Sequence, residues 1–140
     1  MESPIIPQEL ETIPDEYLIP ATQQGTLVEL YYETYESVGY EQHTKQLRKR
    51  AIVYIPYGYS EDNQYNVFYL MHGGWSNETT TLGTPSRPSA LKNVIDNAIA
   101  DGKFDPLIIV CPTYNNESPE DTGYYSGNTL GEFSLTWYNN

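Results

Sequence analysis

Cysteine is all but absent. Cys111 is the only one among the 140 residues, so the chain can form no internal disulfide. It sits in the apolar run LIIVC, where a thiol reads as a small buried hydrophobe rather than a nucleophile. Histidine occurs only at His43 and His72, with no Cys or carboxylate at zinc-ligand spacing, so no metal is expected. Basic residues number 7 against 19 acidic ones, a formal charge of −12. That balance repels nucleic-acid phosphates and anionic membrane surfaces, and leaves a neutral polysaccharide unpenalised as a partner. No run approaches the ~18 apolar residues of a membrane-spanning helix. The opening MESPIIPQEL has neither a basic nor an apolar signal-peptide region, so localisation stays open, and an exported parent protein would need its signal outside this chain. The length suits one modest domain.

What is present changes character along the chain. Residues 1–24 carry Pro4, Pro7, Pro14 and Pro20 among acidic residues and read as an extended lead-in or linker without a helix. From Gly25 an alternation begins, with Val28, Leu30 and Tyr32 expected inward and Glu29 and Glu33 outward. Lys45–Ile55 reads as a second strand, with Leu47, Ala51, Val53 and Ile55 on one face and Lys45, Arg48, Lys49 and Arg50 crowding its start. Antiparallel pairing would set Glu29 and Glu33 near Arg48 and Arg50. Val67–Met71 is an apolar run expected to be a buried strand, with Tyr69, like Tyr54, in the core. Leu91, Val94, Ile95, Ala98 and Ile99 draw one stripe on an amphipathic helix, capped by Ser86 or Ser89 and closed by Gly102. Leu107–Val110 between Pro106 and Pro112 is a buried parallel strand, which completes a βαβ unit. The remainder is polar and aromatic, and Tyr114 and Tyr124 could line a site that stacks on sugar rings or phenolic acids.

The apolar run stops abruptly at His72-Gly73-Gly74. A glycine pair after a strand leaves backbone N–H groups free to point at a developing alkoxide. The N–H groups of Gly74 and Trp75 are the candidate donors, with Gly73 shaping the loop. His72 is expected to support the loop by hydrogen bonding, since a triad base comes late in a chain ordered Ser, Asp/Glu, His. Ser76 lies in Gly-Trp-Ser-Asn-Glu, where a nucleophile elbow needs a small residue in place of Glu78, and no complete G-x-S-x-G occurs in the chain.

With AIVYIPYGYSEDNQYNVFYLMHGGWSNETT and then LIIVCPTYNN, the chain resembles the carbohydrate esterases of the feruloyl and acetyl xylan esterase type, over about Gly25–Tyr125. The resemblance implies an α/β class: the N-terminal part of an α/β-hydrolase sheet, antiparallel first strands followed by a βαβ unit, lacking the nucleophile half. Residues 25–140 would then be an incomplete esterase domain, and the polypeptide a truncated form without its own Ser-His-Asp triad. It further implies hydrolysis of acyl esters on plant cell-wall polysaccharide, acylated xylan, without a cofactor, and an oxyanion donor at Gly74 or Trp75. The closing GEFSLTWYNN departs from the Glu-, Leu- and Asp-rich helix expected there. The alternative is a non-catalytic carbohydrate-binding or interaction module using the tyrosines. An unfinished sheet would leave an apolar edge and favour a non-native oligomer.

Overall fold

A computed structural model describes residues 9–35, 43, 46–73 and 76–113. Two ten-residue strands, β1 (Thr26–Tyr35) and β2 (Gln46–Ile55), pair antiparallel along their whole length. Two shorter strands, β3 (Asn66–Tyr69) and β6 (Leu107–Cys111), run parallel to each other, joined through helix α1 (Ala90–Ala100). Between β3 and α1 lies a minimal hairpin, β4 (Gly83–Thr84) and β5 (Arg87–Pro88), in a stretch the sequence pattern leaves as loop. The main sheet has the order β1-β2-β6-β3, so the β3-α1-β6 unit attaches to the antiparallel pair through β6.

The helix forms where the apolar stripe places it. Ser89 precedes its first turn, although the Ser89 hydroxyl donates to the Thr81 carbonyl at 2.6 Å instead of capping the helix. Its end is a Schellman turn, with the Gly102 N–H donating to Ile99 O and the Lys103 N–H to Ala98 O, and Gly102 takes the required positive φ of 68°.

The core lies on one face of the sheet, under α1. Leu27, Ile52, Tyr54, Ile109 and Cys111 meet Ile95 of the helix and Leu82 of the preceding loop, and Ile52 and Leu82 are wholly buried. Sequence alternation selects the other face of β1, where Val28 is 40% and Leu30 50% accessible and, of the three residues expected inward, only Tyr32 is partly buried. Apolar residues stand on both faces of this strand, and only Leu27 on the correct face points at α1; alternation cannot tell which side the helix will occupy. In β2 both faces are buried, Ala51 and Val53 as well as Ile52 and Tyr54.

The apolar run at β3 is also exposed, against the expectation of a buried strand. Among the described residues β3 is the sheet's edge, and Tyr69, expected in the core, is 63% accessible. Burial of such a run depends on neighbours on both sides, and among the described residues β3 pairs with β6 alone.

The lead-in differs from the extended segment expected. Asp15–Leu18 forms a 3-10 turn that buries Tyr17, and Ala21 is buried after it. Side-chain amides of α1 hold this turn. Asn97 donates to the carbonyls of Tyr17 and Ile19, and Asn93 to that of Leu18, so backbone acceptors of a segment without regular structure are satisfied by the helix surface.

A buried polar network stitches helix to sheet. Asp96 and Lys92, one helical turn apart, are only 2% and 4% accessible. Asp96 Oδ2 accepts from Lys92 Nζ at 2.6 Å, while Oδ1 accepts from the Tyr54 hydroxyl at 2.7 Å and the Gly25 N–H at 2.8 Å. Gly25 is required there, because a Cβ would stand 2.5 Å from the Tyr54 ring. Burial, with the neighbouring Asp96 carboxylate, pushes the Tyr54 phenol far above its ordinary pKa.

Candidate active-site loop

The segment from β3 to α1 begins at the carboxyl end of a parallel strand, where α/β sheets place their sites. The Leu70 N–H donates to Val110 O at 2.9 Å, which extends the register of β3 on β6 up to the loop. His72 then turns inward and is 5% accessible. Its Nδ1 lies 2.7 Å from the Gly73 carbonyl. A carbonyl only accepts, so in this contact Nδ1 carries the proton and donates. The Ser76 N–H donates back to the same Gly73 carbonyl at 3.3 Å, which ties the two described ends of the loop together. Gly73 has open space where a Cβ would stand. Gly74 and Trp75, the two candidate donors, lie outside the described residues, as do Tyr114 and Tyr124.

The exit of the loop is held more heavily than its sequence suggests. Asn77 Oδ1 accepts from both the Thr79 N–H and the Thr79 hydroxyl, an Asx-type turn. Glu78 is bound by Arg50 of β2, whose Nε and Nη2 both lie 2.8 Å from Oε1. Arg50 Nη1 lies 3.1 Å from Glu29 Oε1, the pairing of β1 and β2 charges that alternation anticipated. Tyr32 is held protonated by burial and by the nearby Glu78 charge, both raising its pKa. Thr81 Oγ1 lies 3.4 Å from Cys111 Sγ, and Leu82 plugs into the core. Burial raises the Cys111 thiol pKa despite that contact, which opposes any role as a thiolate nucleophile. Sequence reading missed Glu78 and Arg50 as partners. A basic cluster at a strand start and one acidic loop residue give no signal that they will meet across the sheet face.

An open groove lined by Phe68, Leu70, Leu91, Ile95, Phe104 and Leu107 lies between β3, β6 and α1. Its lining runs the length of β3, from Asn66 to Leu70, and along β6 from Leu107 to Ile109.

Comparison with known proteins places this geometry. The family model Esterase, described as "Putative esterase", matches residues 44–136. The match runs to Thr136, so most of the closing segment, which had been expected to depart from the family, lies within it. The chain is 42% identical over 112 residues to Endo-1,4-beta-xylanase Y of Acetivibrio thermocellus, covering 80% of this chain and 9% of that protein. It is 43% identical over 65 residues to an Endo-1,4-beta-xylanase/feruloyl esterase of Xylanibacter ruminicola, 43% of this chain and 8% of that one. Among solved structures, a Ser-to-Ala mutant of the feruloyl esterase module from Clostridium thermocellum, complexed with sinapinate, superposes with TM-score 0.61 at 40% identity. That match covers 74% of this chain and 32% of the module. A CE1 ferulic acid esterase from Anaeromyces mucronatus shares the fold, with TM-score 0.60 at 21% identity over 90% of this chain and 42% of its own. The chain thus spans less than a tenth of these curated relatives and about a third of the solved module. The antiparallel first strands, the βαβ unit and these matches agree: the chain belongs to the Esterase family and carries part of an α/β-hydrolase fold.

Proposed function

We propose that this chain supplies the oxyanion-loop portion of a carboxylic ester hydrolase acting on acylated xylan of the plant cell wall, of the feruloyl or acetyl xylan esterase type, with residues 25–140 belonging to the esterase domain. The observation that carries the reading is the glycine turn after β3: a strand end registered on β6, a buried His72 donating to Gly73 O, and a turn closed by the Ser76 N–H. The N–H groups of Gly74 and Trp75, which lie between Gly73 and Ser76 in the sequence, are the donors assigned in this proposal to the tetrahedral intermediate, with Gly73 and His72 in support of the loop. Ester hydrolysis passes through an alkoxide whose stabilisation by two preorganised donors is worth about 3 kcal/mol per donor. The 140 residues contain no G-x-S-x-G, so the polypeptide by itself is expected not to turn over an ester.

The test is a chimera in which residues 25–113 replace the corresponding segment of the Clostridium thermocellum feruloyl esterase module, assayed on methyl ferulate. Hydrolysis within about tenfold of the parent module supports the reading. A folded chimera without hydrolysis contradicts it. A second reading, a xylan-binding module without turnover, draws on the exposed tyrosines Tyr31, Tyr57, Tyr59 and Tyr69. Retention of the 140-residue chain on insoluble xylan, lost when these become Ala, would favour it.

A further inference from the structure

The ion pair between Arg50 and Glu78 has no part in catalysis by contact, yet it stands at a particular place. Glu78 follows the glycine turn by two residues, and its side chain is only 12% accessible. Arg50 reaches it from the middle of β2, with two guanidinium nitrogens at 2.8 Å from one carboxylate oxygen. The Arg50 side chain is 29% accessible and is itself braced by Glu29 at 3.1 Å. Around Glu78 the backbone is folded on itself: Thr80 N–H to Asn77 O, Gly83 N–H to Thr79 O, and Asn77 Oδ1 bound to Thr79. The segment 77–83 is therefore folded on itself through its own hydrogen bonds, and Arg50 links it to the sheet by charge. Directly before it stands Ser76, whose N–H donates to the Gly73 carbonyl.

We infer that Arg50 and Glu78 are positioning residues: their ion pair fixes segment 77–83 on the sheet and thereby holds the two described ends of the loop, Gly73 and Ser76, in one shape. The catalytic meaning of that shape rests on the oxyanion reading above. The clasp itself does not. An exposed ion pair would contribute little, but a shielded Arg fork on a carboxylate is geometrically specific and holds its partner in place.

Hydrogen exchange of the 15N-labelled 140-residue chain tests the clasp. In Arg50→Gln or Glu78→Gln, the Ser76, Thr80 and Gly83 amides should exchange about tenfold faster, while the Ile52 and Ile109 amides of the sheet stay within about twofold. The double variant should exchange no faster than either single one, because the two residues act through one interaction. Unchanged loop exchange overturns the inference. So does equal acceleration in the sheet, which would mark a purely structural pair. In the chimera, the same variants should lower kcat for methyl ferulate with KM unchanged. Faster loop exchange with unchanged kcat would uphold the clasp and sink the oxyanion reading. Lower kcat with unchanged exchange would sink the clasp alone.

Discussion

Replacing Asp96 by Ala is predicted to bring the fold close to unfolding. The carboxylate has three partners, Lys92 Nζ at 2.6 Å, the Tyr54 hydroxyl at 2.7 Å and the Gly25 N–H at 2.8 Å, and its side chain is fully shielded from solvent. Its loss leaves the Lys92 ammonium buried and unpaired, which costs about 3–5 kcal/mol. The orphaned Tyr54 hydroxyl and Gly25 N–H add about 1–3 kcal/mol each, partly relieved if water enters. Whole domains are stable by about 5–15 kcal/mol, so a loss of at least about 4 kcal/mol takes most of the margin at the low end of that range. The double variant Lys92→Met with Asp96→Leu removes both charges and leaves only the two neutral donors unsatisfied. It should recover about 2 kcal/mol relative to Asp96→Ala. Urea unfolding followed by far-UV circular dichroism reads both, with the midpoint as the measure and the slope as the check that the denatured state is unchanged. A loss below about 1 kcal/mol for Asp96→Ala, or a double variant no better than the single, would refute the claim that Asp96, neutralised by Lys92, ties α1 to Tyr54 of β2 and to Gly25 before β1.

Further predictions follow from the same contacts. Leu82→Ala, at a fully buried site between the loop and the core, should cost about 2–5 kcal/mol in the same urea assay. Tyr54 has a folded-state pKa raised above its ordinary 10.0, so the stability it contributes is present below that value and is lost as pH climbs past it. Urea midpoints should fall above about pH 10, and Tyr54→Phe should flatten that fall, although it removes a hydrogen bond at neutral pH. The exposed β3 edge, with Val67, Phe68 and Tyr69 each at least half accessible, should make the chain self-associate in light scattering. Phe68→Lys should restore a monomer. Ser76→Ala in the chimera should leave kcat for methyl ferulate unchanged, because its N–H rather than its hydroxyl closes the turn.

Much of this structure can be read before any coordinates, and the exceptions have a common cause. The α1 stripe at Leu91, Val94, Ile95, Ala98 and Ile99 is a local pattern with a local stop signal at Gly102, and it forms where expected. The antiparallel pairing of Glu29 and Arg50 charges also follows from adjacent alternating strands. What failed depends on partners remote in sequence. Lys92 and Asp96, one turn apart, lie off the apolar stripe and draw no reading from the sequence, yet Tyr54 and the Gly25 backbone close over them from the sheet side. Val28 and Leu30 against Leu27 could not be resolved, because the choice of buried face is made by where α1 lands. At the site, the motif His72-Gly73-Gly74 stood out by its glycines, whereas Arg50 and Glu78 acquire a relation only when the loop crosses the sheet.

The claim that the glycine loop stabilises an oxyanion is tested most directly by deleting its backbone donors. Proline lacks an N–H, so Gly74→Pro and Trp75→Pro in the methyl ferulate-active chimera each remove one candidate donor. The account predicts that at least one lowers kcat by about 100-fold or more with KM changed little and the fold intact by circular dichroism. Two folded variants that both keep kcat within about twofold of the chimera would contradict it.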